Sequence, residues 1–319
     1  MQLVKSILFV TRPGDRSEPA FINTMILAQE QKADVHILVT YPDDVETAET
    51  VSFQVFNALI EAATQERADE LLALVPAGIP KPRVTIRTGK QYYEAILLVQ
   101  SEGHDLVIKA AEPDVGFFEK VLGSEDMHLL RKCPCAVWLM RPEMTMPPKR
   151  LLACVAMDER EGADLTLNAR IIETGLELLD RSSDAELHIL HLWSAPGEHL
   201  MRSARTGLSE KQVQDWISAV RKKHKSWFTD LVQPFSGRAR IITHFEKGIP
   251  EARIAELAES VKASSVVMGT VGRTGISGLF IGNTAESILH QLKGSVLALK
   301  PDKFRTPIRA ERDPGAEPP

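Results

Sequence analysis

Short, nearly continuous apolar runs alternate along this chain with longer stretches in which apolar residues return at helical spacing. The runs cover residues 6–11, 35–41, 83–87, 105–109 and 136–140, and then 151–157, 186–193, 240–245, 265–268 and 295–299. Apolar runs of this kind fit parallel strands that are covered by helices on both faces. Between two of them, Val213, Trp216, Ile217, Val220, Trp227, Phe228 and Leu231 make one stripe of an amphipathic helix, which reads as core rather than as a cofactor box. The basic run Arg221-Lys-Lys-His-Lys225 between those apolar positions reads as a solvated surface. Each half of the chain therefore predicts strand and helix in alternation, five strands to a half, and an α/β fold.

The halves repeat one another. A shift of 159 residues lays Gly89 on Gly248, Gly123 on Gly282 and Pro142 on Pro301, and the strand patterns around these anchors agree. The chain reads as a tandem duplication with a first domain over 1–143, a linker around 143–149, a second domain over 150–304, and a polar tail over 305–319 that is expected to be disordered.

The stretch with the most chemistry follows the ninth run. Gly269-Thr-Val-Gly272-Arg273 is followed after nine residues by Gly282-Asn283-Thr284-Ala-Glu286, where a helix over 284–292 is expected. Glycines let a backbone turn and approach a ligand closely, and the free N–H groups of a helix start face any anion placed there. Asn283 with Glu286 is also a capping-box pattern that needs no ligand, so spacing alone leaves phosphate binding and a plain turn both open. Asp158 closes the sixth run, where a carboxylate can accept hydrogen bonds from ribose hydroxyls or can simply form a turn. Arg273 can neutralise phosphate or lie solvated in the loop.

A strand-ending G-x2-G-x9-G loop in a five-stranded α/β unit repeated in tandem resembles the universal stress protein family, over nearly the whole folded chain. The closing Leu299-Lys-Pro-Asp302 adds to the likeness. The resemblance implies two tandem, doubly wound, five-stranded parallel-sheet domains of the Rossmann-like, adenine nucleotide alpha hydrolase-like type. It implies Gly269, Gly272, Gly282, Asn283 and Thr284 around phosphates and Asp158 on ribose or adenine, with ATP or AMP, and Mg2+ alongside, as the ligand. It also implies a cytoplasmic stress-response role without catalysis, supporting resistance to stress such as DNA damage. Family members usually carry serine or threonine where Asn283 stands, which leaves a backbone contact at that position. The first half departs from the pattern, with Ala110 and Pro113 at the positions of Gly269 and Gly272, and Pro13 or Gly14 at that of Asp158, with Asp15 nearby. Proline has no N–H to donate. One nucleotide site is expected, in the second half, with the first half as a pseudo-dimer partner; a homodimer beyond that intrachain pair is left open.

Composition narrows the alternatives. With 44% hydrophobic and 25% charged residues, a net charge of −5 and a pI near 6.0, the chain has no global attraction to nucleic acid or to an anionic membrane. No apolar run has the length of a membrane helix. The three cysteines, Cys133, Cys135 and Cys154, are too few for a disulfide scaffold, and Cys133-Pro-Cys135 reads as packing at the start of a strand. His188 and His191 fall on opposite faces of one strand, and no metal-ligand cluster is evident from spacing. Neither a P-loop nor a serine elbow occurs. An enzyme acting on ATP, at most a weak ATPase, and an interaction or apolar-ligand scaffold without nucleotide remain as alternatives.

Overall fold

The structure is a computed structural model, and it describes residues 4–41, 53–111, 125–157, 165–203, 206–270 and 291–308. Its first half contains β1 (Ser6–Thr11), α1 (Glu18–Gln31), β2 (Asp34–Tyr41), α2 (Phe53–Ala73), β3 (Arg83–Thr88), α3 (Gln91–Glu102), β4 (Leu106–Ala110), α4 (Glu125–Lys132) and β5 (Ala136–Met140). The second half contains β6 (Arg150–Val155), α5 (Leu165–Leu178), β7 (Glu186–Trp193), α6 (Glu198–Met201), α7 (Glu210–Val232), β8 (Arg240–Lys247), α8 (Pro250–Ser260), β9 (Ser265–Gly269) and β10 (Ser295–Leu299). The ten strands form a single sheet in the order β3-β2-β1-β4-β5-β10-β9-β6-β7-β8. Within each half the pairs are parallel; β5 and β10 meet antiparallel, with Trp138 opposite Leu297.

Period-two alternation divides the core between the two faces. Ile7 and Phe9 of β1 belong to the cluster on one face, which includes Phe21, Leu27 and Leu71 and extends to Ile171 of α5 and Phe228 of α7 in the second half, whereas Leu8 and Val10 belong to the cluster on the other face, with Ile96, Leu98 and Leu130, which extends to Leu257 of α8. Local signals end the helices. Gly103 takes a left-handed conformation with φ 74° after α3 and donates its N–H to the Val99 carbonyl, a position where other residues are strained. Ser209 and Gln212 close a capping box at the start of α7.

Side-chain contacts among the described residues reinforce the antiparallel seam. The Trp138 indole N–H reaches over β10 to the Ser265 hydroxyl at 3.2 Å, and the Arg141 N–H donates to the Ser295 hydroxyl at 3.0 Å. The Lys300 amine donates to the carbonyls of Leu130 and Arg131 in the last turn of α4, where the helix dipole favours a cation. The final strand of each half is thus paired inside the chain, and β3 and β8 are the outer strands of the sheet.

The structure moves several expected boundaries. The run 151–157 leaves the sheet at Val155, because the Asn168 side chain takes both backbone groups of Ala156. β8 continues to Lys247 by pairing Glu246 and Lys247 with Leu192 and Trp193. Met144, in the expected linker, is buried, and its carbonyl accepts from the Asn23 side chain at 2.7 Å. Packing also extends past residue 304, into the stretch expected to be a disordered tail. Ile308 is buried, and its carbonyl accepts from the Gln100 side chain at 2.9 Å. Among the described residues no helix is long and apolar enough to cross a membrane.

Candidate site at the carboxyl edge of the second half

In each half the chain leaves its first strand toward one side of the sheet and later fills the other side. The strand order therefore reverses between β1 and β4, and between β6 and β9. Crevices at such switch points, outside the carboxyl ends of the strands, are where open α/β sheets hold ligands. β6 and β9 run side by side to Cys154 opposite Met268. Asp158 lies three residues beyond the end of β6, and Gly269 is the last residue of β9.

Backbone positions at this edge are fixed from both sides. Asn168, buried on the first turn of α5, accepts from the Ala156 N–H at 3.0 Å and donates to the Ala156 carbonyl at 2.9 Å. A side chain at Gly269 would put its Cβ 3.0 Å from Leu167 Cδ2, with Ile171 Cδ1 at 3.9 Å, so β9 ends close against α5 and a larger residue there would require Leu167 to shift. The next residue, Thr270, is buried and donates its N–H to the Leu299 carbonyl of β10 at 3.3 Å. Of the residues expected to hold nucleotide, Gly269 is described; Asp158, Gly272, Arg273, Gly282, Asn283 and Thr284 lie outside the described residues, as does most of the expected helix over 284–292.

The neighbouring strand ends carry an aromatic and charged rim that the sequence reading did not single out. Trp193 and Phe245 stack with centroids 6.1 Å apart, the Lys247 amine lies 5.7 Å over the Trp193 ring, and Lys247 pairs with Glu198 at 2.6 Å. The Gly248 N–H donates to the Trp193 carbonyl at 3.2 Å, one residue ahead of the segment leading to Pro250 and α8.

At the first half's switch point, charge is paired within the chain. Lys109, at the position of Met268, is buried with its amine 2.8 Å from Asp126 in the first turn of α4. The Asp15 carboxylate accepts from the Arg12 N–H and guanidinium at 3.1 and 3.2 Å, and the Asp15 carbonyl accepts from buried Arg67 at 2.8 Å. Pro113, Gly123 and Ser124 lie outside the described residues.

The other candidates singled out in the sequence are structural. Cys133 and Cys135 are free thiols 3.5 Å apart just before β5, and burial pushes the Cys154 thiol up to about 12. His188 and His191 do point apart: His188 meets His244 at 2.9 Å, whereas His191 Nε2 meets His224 at 2.9 Å and its Nδ1–H donates to the Val155 carbonyl at 3.1 Å. His224 corrects the reading of the run 221–225 as wholly solvated. It is buried, and its place between Val220 and Phe228 at helical spacing is the signal that puts it on the core stripe.

Comparison with known proteins agrees with this architecture. Universal stress protein E of Escherichia coli (strain K12) is 29% identical over 316 residues, covering 98% of each chain. A functionally unknown protein from Pseudomonas aeruginosa PAO1 superposes with a TM-score of 0.64 at 26% identity, covering 94% of each chain. A universal stress protein from Archaeoglobus fulgidus DSM 4304, 16% identical, has the same fold with a TM-score of 0.63 over 92% of this chain and 98% of that one. The universal stress protein family profile matches residues 4–141 and again residues 153–300, so the chain belongs to the universal stress protein family and carries its unit twice.

Proposed function

We propose that the second half binds one adenine nucleotide, ATP or AMP, with Mg2+ alongside, in the crevice between β6 and β9, and that the protein uses this binding in a cytoplasmic stress response without turning the nucleotide over. The observation that carries the reading is the strand end at Gly269, on the switch point and close against Leu167 of α5, from which the sequence enters the glycine loop. In this reading the backbone of Gly269, Gly272, Gly282, Asn283 and Thr284 lies on the phosphates and Arg273 neutralises them. Asp158 accepts from ribose or adenine, and Asn168 clamps the backbone of Ala156 two residues upstream. Trp193 ends β7, next to β6, and Phe245 stacks on it from β8.

The first half supports a single site. Beside its switch point the charges are paired within the chain, Lys109 with Asp126 and Arg12 with Asp15, and it joins the second half through β5, as expected of a pseudo-dimer partner. Small molecules released from the denatured protein, identified by mass spectrometry, and calorimetric titration of ATP and AMP into the emptied chain test the proposal. One adenine nucleotide per chain is expected, with affinity reduced by Gly272→Val. Absence of binding, or unchanged affinity in that variant, refutes it and favours the scaffold reading. Phosphate release by the pure protein that Asp158→Ala abolishes would make it an ATPase.

A further inference from the structure

At the opposite, amino edge of the first half, three side chains converge that the nucleotide reading does not use. His36 on β2, Glu102 at the end of α3 and His104 just before β4 each offer one ligand atom, and these atoms all lie within 4.8 Å of one another. His36 Nδ1 is 3.3 Å from His104 Nε2 and 3.5 Å from Glu102 Oε2. Two nitrogens held about 2.0–2.1 Å from a tetrahedral zinc ion lie about 3.3–3.4 Å apart, so the spacing is that of ligands around one ion.

The surroundings orient both rings. His36 Nε2 is 2.8 Å from the Thr85 hydroxyl, and His104 Nδ1 is 2.7 Å from the Ser6 hydroxyl. When each ring donates its N–H to its hydroxyl, the lone pairs of His36 Nδ1 and His104 Nε2 face one another and call for a cation between them. A hydrogen bond from the second ring nitrogen is how metal-ligating histidines are normally fixed. Both rings are buried, so the two nitrogens are held in place by the surrounding strands. Glu102 reaches the solvent side, where an ion can enter and a water can complete the shell. Arg83 bonds the same carboxylate oxygen at 2.6 Å, but its side chain is 67% exposed and such a surface pair holds it weakly.

The second half repeats the motif without the convergence. His188 stands at the position of His36 in the strand and meets His244, but at 2.9 Å, the distance of a direct hydrogen bond, and Glu186 approaches the other ring nitrogen at 3.5 Å. We propose that His36, Glu102 and His104 form a divalent transition-metal site, suited to Zn2+, on the amino edge of the first half.

The test uses the full chain, freed of metal by a chelator, and Co2+ as a visible-absorption probe displaced by Zn2+. One equivalent of Co2+ with tetrahedral d–d bands is expected in the wild type, in Cys133→Ser/Cys135→Ser and in His188→Gln. His104→Ala should lose the bands, Glu102→Gln should weaken binding at least tenfold, and Ser6→Ala, which removes only the partner of His104, should weaken it about 10–100-fold. If His104→Ala fails to fold by circular dichroism, the solvent-side Glu102→Gln decides. No stoichiometric uptake by the wild type, or uptake equal in wild type and Glu102→Gln, or uptake lost in the cysteine variant, overturns the proposal.

Discussion

Replacing Asn168 separates two roles that one side chain plays: it stops β6, and it fixes the backbone that leads to Asp158. Asn168→Ala removes two hydrogen bonds, at 3.0 and 2.9 Å, to the N–H and carbonyl of Ala156. At a net contribution of about 0.5–1.5 kcal/mol each, the loss would be roughly 1–3 kcal/mol; Ala156 is exposed, so water takes over its backbone groups and the expected cost is about 1–2 kcal/mol. Asn168→Asp keeps the shape, and one oxygen still accepts from the Ala156 N–H. The other then faces the Ala156 carbonyl, acceptor against acceptor, on a side chain that is 6% exposed. That variant should cost more than the alanine at pH 7.5, by about a further 1–3 kcal/mol. Protonation restores a donor toward the carbonyl, so the folded state raises this carboxyl above its unfolded value of about 3.9. The stabilisation it can offer is present below that value and is lost as pH rises through the folded one. Urea unfolding followed by tryptophan fluorescence, for all three proteins at pH 7.5 and 4.5, measures the differences. The reasoning fails if Asn168→Ala stays within about 0.5 kcal/mol of wild type, or if the gap between Asn168→Asp and wild type does not narrow at pH 4.5.

Trp138→Phe, which removes the indole N–H from buried Ser265 and leaves a gap at the seam, should cost roughly 2–3 kcal/mol, and an unchanged urea midpoint would refute that. Gly175→Ala sets two effects against each other: a helix gain of about 1 kcal/mol, and a Cβ 2.7 Å from Cδ1 of fully buried Leu187. Overpacking of about 1–3 kcal/mol should win, and a stabilised variant in thermal unfolding would show that it does not. His188 and His244 are held below the usual imidazole value, first by burial, among Glu186, Glu246, Arg150, Arg240 and Arg253. The unfolded chain therefore binds protons that the fold excludes. Stability should be full above about pH 6.5 and decline as pH falls below it, with a shallower decline in His188→Gln/His244→Gln; equal slopes would remove these rings from the account.

The ten strands were legible because each is an apolar run with helix-spaced residues on either side, and the duplication was legible from its glycine and proline anchors. What escaped depends on side chains that act at a distance. The end of β6 is set by an amide twelve residues away, and nothing in the run 151–157 marks it. Ile308 is one apolar residue in a polar stretch, and only the groove beside α3 explains its burial. His36 and His104 are 68 residues apart, so no local spacing could join them. Strand order was equally hidden, since β5 and β10 look like any other buried strand. At the candidate nucleotide site the close packing of Gly269 on Leu167, the Asn168 clamp and the Trp193–Phe245 rim were not legible, because each depends on residues from outside the loop that carries the motif.

The seam between β5 and β10 also sets a schedule for synthesis. The Arg141 backbone waits for a partner 154 residues later in the chain, and at about 5–20 residues per second the ribosome delivers that partner roughly 8–30 s after the first half is complete. Throughout that interval β5 is an open strand edge on an otherwise finished sheet, able to pair with the same edge of a neighbouring nascent chain. A duplicated gene brings the correct edge in cis and at high local concentration, but only after a delay. The period of risk ends when β10 emerges, and slow translation of the second half would lengthen it.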